Sequence, residues 1–422
     1  MSEVIAIEGG HKLNGTVRIS GAKNATVALI PAAVLADGPV EIFGVPEISD
    51  VEALAILLRE LKCEVKIDGE QIKIDPSHME DIPLVSDAVN KLRASYYFMG
   101  ALLGKYKRVK IKMPGGCYLG PRPIDLHLKG FEALGATITY HDDTYLLEAE
   151  ELIGNQIYLD FASVGATINI MLAAVKAKGK TIIENAAKEP EIIDVANLLT
   201  KMGARIRGVG TDTITIEGVN ELHGTFHEII PDRIEAGTFL IIAAAAGEKI
   251  VVQNIIPQHL EALISKLKEM GVQMDVVGDS IVVYGKEDDL SAVDIKTQIY
   301  PGFATDLQQP LTALLTQSVG TSHVQETIYV ERFKHCEQLN KMGANIEVKE
   351  ASSVIHGETP LHGTRVQATD LRCGAALVVA GLLAEGITEI TNVYHIDRGY
   401  DNIDHKLITL GAHISRYEID DE

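Results

Sequence analysis

The sequence predicts an α/β protein of two lobes, each built from three copies of one βαβαββ-type unit. The first observation behind this is a helix end of the form Leu/Met-Gly-Ala, followed each time by a β-rich run. It recurs at Leu134-Gly135-Ala136, Met202-Gly203-Ala204, Met270-Gly271-Val272, Met342-Gly343-Ala344 and Leu410-Gly411-Ala412, with Leu61-Lys62-Cys63 as a degenerate first copy. The second is the spacing: 73, 68, 68, 72 and 68 residues separate successive copies, the fixed period of a repeated structural unit. The third is a marker in the same phase, an Ala-rich apolar helix closed by a glycine at Gly38, Gly104, Gly179, Gly247, Gly320 and Gly386, each leading into a β-branched strand.

Taken in order, each unit opens with the apolar helix and its closing glycine, since a left-handed residue that ends a helix favours glycine. A strand, a loop and an amphipathic helix follow, then the Gly-Ala stop and a hairpin such as Ala204 to Glu217. The run from Ala236 to Ala246 has almost no polar residue on any face, so helices of this type must be enclosed by protein and the sheets must surround them. The sixth unit is short: beyond Gly411 only His413 to Tyr417 precede an acidic tail. Residues Val4 to Ile19 match half of the third unit's hairpin and its continuation, so the N-terminal strand is expected to complete the last unit. The expected lobes are 22–229, and 1–21 together with 230–422, joined by crossings near Gly21 and Ile230.

Composition sets the limits. With 46% hydrophobic residues in 422 there is ample material for two cores, and 38 Lys+Arg against 59 Asp+Glu gives a net charge of −21, which argues against a nucleic-acid partner. The four cysteines, Cys63, Cys117, Cys336 and Cys373, have neither disulfide nor zinc-site spacing. The beginning of the chain has no basic n-region, and its apolar runs are shorter than the roughly 20 residues that span a bilayer. A cytoplasmic protein without a membrane partner is expected.

If the units were purely architectural, the starts of their apolar helices would be bland. They read Ser20-Gly21-Ala22-Lys23-Asn24, Lys91-Leu92-Arg93-Ala94-Ser95, Ser163-Val164-Gly165, Asp232-Arg233-Ile234-Glu235, Thr305-Asp306 and Asp370-Leu371-Arg372. Helix N-termini carry unpaired N–H groups and partial positive charge, so an adjacent Lys or Arg suits them to phosphate or carboxylate. Ordinary capping accounts for Ser163 and Asp370 but not for Lys23, Arg93 and Arg372. From first strand to stop glycine, the second unit takes 24 residues where the others take 19 to 21. The surplus lies in the Gly/Pro-rich loop from Met113 to His127, the kind of insertion in which mobile catalytic loops are built. Cys117, flanked by glycines and near Arg122, suits an activated thiol or a proton donor. Cys63 and Cys373 read as core, and Cys336 as either core or function. The corresponding loops add Glu189-Pro190-Glu191, Glu331-Arg332 and His395 to Gly399; these read as solvated turns or as walls of one shared cleft, and their phase with the helix starts favours the cleft.

These residues together resemble the enolpyruvyl transferases along the whole chain. The resemblance rests on Ser20 to Ala25, Pro114 to Cys117, Gly120 to His127, Glu189-Pro190-Glu191, Pro301 to Asp306, Asp370-Leu371-Arg372 and His395 to Tyr400. It implies two inside-out α/β lobes of three units each. It implies small-molecule substrates, phosphoenolpyruvate and UDP-N-acetylglucosamine, and transfer of the enolpyruvyl group to the sugar 3-hydroxyl by addition and then elimination of phosphate. That reaction is the first committed step of peptidoglycan synthesis, and no metal or nucleotide cofactor is implied. By the same resemblance Asp306 is the base, and Cys117 is a proton donor that forms a phospholactoyl adduct and is alkylated by fosfomycin. Lys23, Asn24, Arg122 and Arg398 hold phosphoenolpyruvate, with Lys23 and Arg398 also serving catalysis. The sugar nucleotide lies along Arg93, Arg122, Pro123, Ile124, Asp125, Leu126, Ser163, Val164, Gly165 and Asp306, with Ile328 closing over it. Asp370 and Arg372 match cleft positions of open role. The chain departs from the family at Tyr329-Val330-Glu331-Arg332, where Phe-Glu-Asn-Arg is expected, and at Asp401, where Glu is usual. The competing readings are the sister transfer to shikimate 3-phosphate, against which the Cys117 loop argues, an RNA 3′-phosphate cyclase type, and a non-catalytic repeat scaffold.

Overall fold

The computed structural model describes residues 1–112 and 124–420. The chain divides into two compact units: a discontinuous lobe of Met1–Ser20 with the chain from Pro231 onward, and a continuous lobe between Gly21 and Ile230. Each is α/β and inside-out. The core of the continuous lobe is built on the helices Lys23–Ala32, Tyr97–Tyr106 and Val164–Ala174. That of the discontinuous lobe is built on Arg233–Ala246, Thr305–Leu315 and Leu371–Leu383. In the discontinuous lobe the three helices pack on one another, and in the continuous lobe Tyr97–Tyr106 packs against both of the others, as helices without a polar face must. The outer helices are amphipathic, such as Pro190–Lys201 with its buried Ile192, Val195, Leu198 and Leu199. Among the described residues no helix is long and apolar enough to cross a membrane.

The described strands form six sheets, five of four strands and one of three. In the third unit Gln156–Tyr158 runs parallel to Lys180–Glu184, which pairs antiparallel with Thr213–Glu217, and that strand in turn with Arg205–Arg207. A parallel pair needs a long crossover, and the apolar helix supplies it. The second unit has only Arg108–Lys112, Thr144–Glu148 and Thr137–His141. In place of the fourth strand a single bridge joins Leu84 to Ile111, and Pro83 before it has no N–H to extend the ladder.

The Gly-Ala stops are left-handed residues: Gly135, Gly203, Gly271, Gly343 and Gly411 have φ of 104°, 112°, 101°, 104° and 101°, and Lys62 takes the same place at 65°. Of the six closing glycines, Gly179, Gly320 and Gly386 are left-handed, at φ 85°, 111° and 87°, whereas Gly38 is not, Gly247 ends its helix in an extended conformation, and Gly104 is not a helix end at all. Gly104 lies inside the helix Tyr97–Tyr106, and Lys107, at φ 56°, ends it. The reason is packing: a Cβ on Gly104 would lie 2.8 Å from the Leu172 carbonyl oxygen, and one on Gly100 only 2.3 Å from that of Asn169. The two glycines let the second central helix approach the third. Gly100→Ala is therefore expected to cost about 1–3 kcal/mol or more, read as a lower urea midpoint at unchanged m-value.

The N-terminal segment is divided between two sheets. Ser2–Glu8 lies between Ile387–Thr391 and His413–Ile419, antiparallel to both. Leu13–Arg18, which the sequence places in the same last unit, instead runs parallel to Gly247–Gln253 in the fourth. Gly10 at φ 85° makes the turn that redirects the chain.

Candidate functional site

In the continuous lobe the predicted residues gather at the starts of the central helices. Lys23 opens its helix behind Ala22, which offers no side-chain cap, and its Nζ lies 3.5 Å from Oδ2 of the buried Asp50. The paired carboxylate fixes the position of the ammonium, with Asn24 next in the chain, half-buried. Arg93 starts a short 3-10 turn that ends at Tyr96, and its guanidinium carbon is 5.8 Å from that ring's centroid. The Tyr96 ring meets His127 edge-on at 4.9 Å. Burial, with Arg93 nearby, pushes the His127 pKa down to about 3, so the imidazole is neutral and its Nδ1 can accept from Asn169 Nδ2 at 3.0 Å. A Cβ on Gly165 would lie 2.9 Å from both the Tyr96 hydroxyl and His127 Cε1, which leaves no room for a side chain.

Ser163 Oγ accepts from the Ala166 N–H at 3.1 Å and caps the helix that begins at Val164. Arg93, Ser163, Val164 and Gly165 are thus brought together around Tyr96 and His127. Those two were not singled out from the sequence, although His127 ends the motif that begins at Gly120. Ile124 is buried before the helix Asp125–Ala133; Asp125 is exposed and Leu126 half-buried. Cys117, Arg122 and Pro123 lie outside the described residues. The thiols of Cys63, Cys336 and Cys373 are all buried, and burial pushes each to about 12. Cys336 is therefore core, and none of the three is a nucleophile at neutral pH.

In the discontinuous lobe Asp306, in the first turn of its helix, is held by two arginines. Arg332 Nη1 is 2.8 Å from its Oδ1 and Arg372 Nη2 is 3.4 Å from its Oδ2. The side chains of Arg332 and Arg372 are 4% and 2% exposed while that of Asp306 is 23% exposed, so the carboxylate reaches solvent and the cations stand behind it. Burial works against both guanidinium charges, but their anionic surroundings prevail and raise both pKa values. The dominant neighbour is Asp306 for Arg332 and Tyr400, then Asp306, for Arg372. Arg332 Nη1 also donates to Thr305 Oγ1 at 3.0 Å. The Tyr400 ring lies 5.2 Å from Arg372, and its hydroxyl 2.8 Å from Thr238 Oγ1. Sequence reasoning left Arg332 among the loop charges, and the structure buries it against the candidate base.

Tyr329, in the divergent stretch, presents its ring 5.3 Å from Arg332, and Ile328 beside it is half-buried. Asp370 is a cap, accepting from the Arg372 and Cys373 N–H groups at 3.1 and 3.0 Å. Arg398 is half-buried after the short helix Tyr394–Asp397. The neighbouring His395 has its pKa lowered by burial, with Asp370 opposing and Arg398 adding to the effect.

A second buried cluster carries charge behind the helix starts. Lys406 Nζ contacts Glu235 Oε1 at 2.6 Å and donates to Ser20 Oγ at 2.8 Å. The Ser20 N–H donates to Glu235 Oε1 at 3.2 Å, and its hydroxyl to Asp401 Oδ2 at 2.9 Å. Burial pushes the Glu235 pKa up to about 7, with Lys406 holding it back. Asp401, where the family resemblance leads one to expect Glu, meets Ser20 directly.

Residues 7–407 match the family described as EPSP synthase (3-phosphoshikimate 1-carboxyvinyltransferase). The chain is 59% identical over 416 residues to UDP-N-acetylglucosamine 1-carboxyvinyltransferase 2 of Geobacillus kaustophilus (strain HTA426), covering 99% of this chain and 97% of that protein. It is 58% identical over 420 residues to the protein of the same name from Bacillus subtilis (strain 168), covering 100% and 98%. Among solved structures, the enolpyruvyl transferase NikO from Streptomyces tendae superposes with a TM-score of 0.91 at 26% identity, over 98% of this chain and 99% of that one. EPSP synthase from Acinetobacter baumannii shares the fold, with a TM-score of 0.74 at 18% identity over 99% and 100%. The repeats, the inside-out lobes and these full-length matches agree: the chain belongs to the EPSP synthase family of enolpyruvyl transferases.

Proposed function

We infer that the protein transfers the enolpyruvyl group of phosphoenolpyruvate to the 3-hydroxyl of UDP-N-acetylglucosamine and releases phosphate. The observation that carries this reading is the 58–59% identity, over essentially the whole chain, to relatives that bear the name of that activity. The geometry around Asp306 supports it. Addition forms a bond from the sugar oxygen to C2 of phosphoenolpyruvate while the hydroxyl proton passes to a base and C3 gains a proton. Elimination then removes a C3 proton and expels phosphate. Asp306 is the base: its carboxylate faces solvent, and two buried arginines fix its direction. Cys117 is the acid at C3 and the site of the covalent adduct. Lys23, Asn24, Arg122 and Arg398 bind the phosphate and carboxylate of phosphoenolpyruvate, where fixed cations favour the charge-rich intermediate. Arg93 and the Ser163–Gly165 cap receive the sugar nucleotide as an anion at a helix N-terminus, along with Pro123 to Leu126 and Ile328. Three buried free thiols fit a reducing cytoplasm, and the product feeds cell-wall synthesis.

Phosphate release, measured with UDP-N-acetylglucosamine or shikimate 3-phosphate as acceptor, tests the reading. Release is expected only with the sugar nucleotide and is expected to fall by about 10²–10⁴-fold in Cys117→Ala. Cys117→Asp, which restores an acid without a thiol, is expected to retain activity and to resist fosfomycin. Release with shikimate 3-phosphate alone would move the chain to the sister reaction, and release with neither acceptor would sink the enzymatic reading.

A further inference from the structure

Three metal-ligating side chains that the transfer reaction does not use meet at the edge of the discontinuous lobe. Glu8 ends the first strand and stands directly opposite His413, the first residue of the last strand, so both project from one face with Cβ atoms about 5 Å apart. Gly10, at φ 85°, turns the chain so that His11 comes back to the same point. His11 Nε2 lies 3.7 Å and His413 Nδ1 3.5 Å from the same oxygen, Glu8 Oε2, and the three ligand atoms all lie within 4.8 Å of one another. The imidazoles stack with centroids 3.6 Å apart and planes 13° apart.

We propose that Glu8, His11 and His413 form a site for a borderline divalent metal ion such as Zn²⁺, which would staple the end of the first strand to the start of the last. Around a tetrahedral zinc, with bonds of about 2.0–2.1 Å, ligand atoms stand about 3.3–3.4 Å apart. The two nitrogen-to-oxygen distances are already within a few tenths of an ångström of that spacing. The lone pairs converge once the rings splay about χ2, a broad torsion, and both histidines are open enough to turn, at 37% and 56% exposed. Two imidazoles and one carboxylate favour Zn²⁺, Cu²⁺ or Ni²⁺ over the oxygen-seeking Mg²⁺ and Ca²⁺, with water filling the fourth position. The strands held belong to the sixth sheet, and the turn between Glu8 and Leu13 leads on to the fourth, so the ion would tie the segment that both sheets share.

The full-length protein, freed of metal with a chelator, is titrated with Zn²⁺ by calorimetry and with Co²⁺ by visible absorption, and Cys117→Ser is run in parallel to exclude thiol ligation. One equivalent is expected to bind, to give the intense bands of four-coordinate Co²⁺, and to raise Tm by about 5 °C at saturating metal. His11→Ala, His413→Ala and Glu8→Gln are each expected to weaken binding by about tenfold or more while keeping the parent Tm in chelator. Parent-like affinity in the two histidine variants, or binding that disappears only in Cys117→Ser, would overturn the proposal.

Discussion

Asp306→Asn is expected to lower kcat for phosphate release by about 10²–10⁴-fold, the usual contribution of a positioned general base, with little change in KM for either substrate. The amide keeps the shape of the carboxylate and one acceptor oxygen for Arg332 or Arg372, but it carries no charge, turns its NH2 toward the other guanidinium and cannot take the hydroxyl proton, so some loss of stability accompanies the loss of the base. Asp306→Ala is a poorer probe, because it leaves the two buried guanidiniums with neither an anion nor an acceptor, and breaking such a pair outright typically costs about 3–5 kcal/mol. Steady-state kinetics together with a melting curve separate the two cases. Loss of kcat in Asp306→Asn at a temperature where the melting curve shows it fully folded supports the base, whereas an unchanged kcat assigns the residue to structure alone.

Lys406→Met is expected to destabilise the protein by about 3–5 kcal/mol at pH 8, because it strands the buried Glu235 carboxylate. The effect should depend on pH in a defined direction. Burial raises the folded pKa of Glu235 to about 7, well above the roughly 4.3 of an unfolded chain, so the folded state binds this proton more tightly. The stability this group contributes is complete below about pH 4.3 and is lost as pH rises through about 7. Removing Lys406 takes away the strongest influence that lowers this pKa, so the deficit of the variant should shrink at pH 6 and grow at pH 8. Adding Glu235→Gln should recover most of it. Urea midpoints at the two pH values provide the check, and a deficit that does not vary with pH would place the cost in packing.

The parts of this molecule that are legible in the sequence are those set by local backbone requirements repeated six times. A stop glycine must be left-handed, and at 135, 203, 271, 343 and 411 it is. A helix with no polar face must be enclosed, as Ala166 to Ala174 are. Cap residues announce themselves by type, and Ser163 and Asp370 each cap a helix. What the sequence hides are partners far apart along the chain. Gly104 carries the marker of a helix end, yet it is kept small by Leu172 on another helix. Arg332 looks like a charge in a turn until Asp306, 26 residues away, is seen beside it. Ser20 and Lys406 are separated by 386 residues, and no periodicity records such a contact. The division of residues 1–20 between two sheets escapes notice for a related reason: Ser2–Glu8, with its apolar run Val4 to Ile7, and Leu13–Arg18 are both short strands, and only tertiary pairing decides which neighbour each one takes.

That division also bears on the order of events on the ribosome. The first strand made, Ser2–Glu8, takes its place between Ile387–Thr391 and His413–Ile419, which are among the last made. At about 5–20 residues per second, it waits roughly 20–80 s for its neighbours. In that interval the chain from Gly21 to Ile230 has emerged with all of its own strands and can fold, while the arm ahead of it trails with unpaired edges. The lobe that begins the chain is thus the last to be finished, and a nascent protein stalled beyond residue 230 would carry one completed half and a loose N-terminal arm exposed to proteases and chaperones.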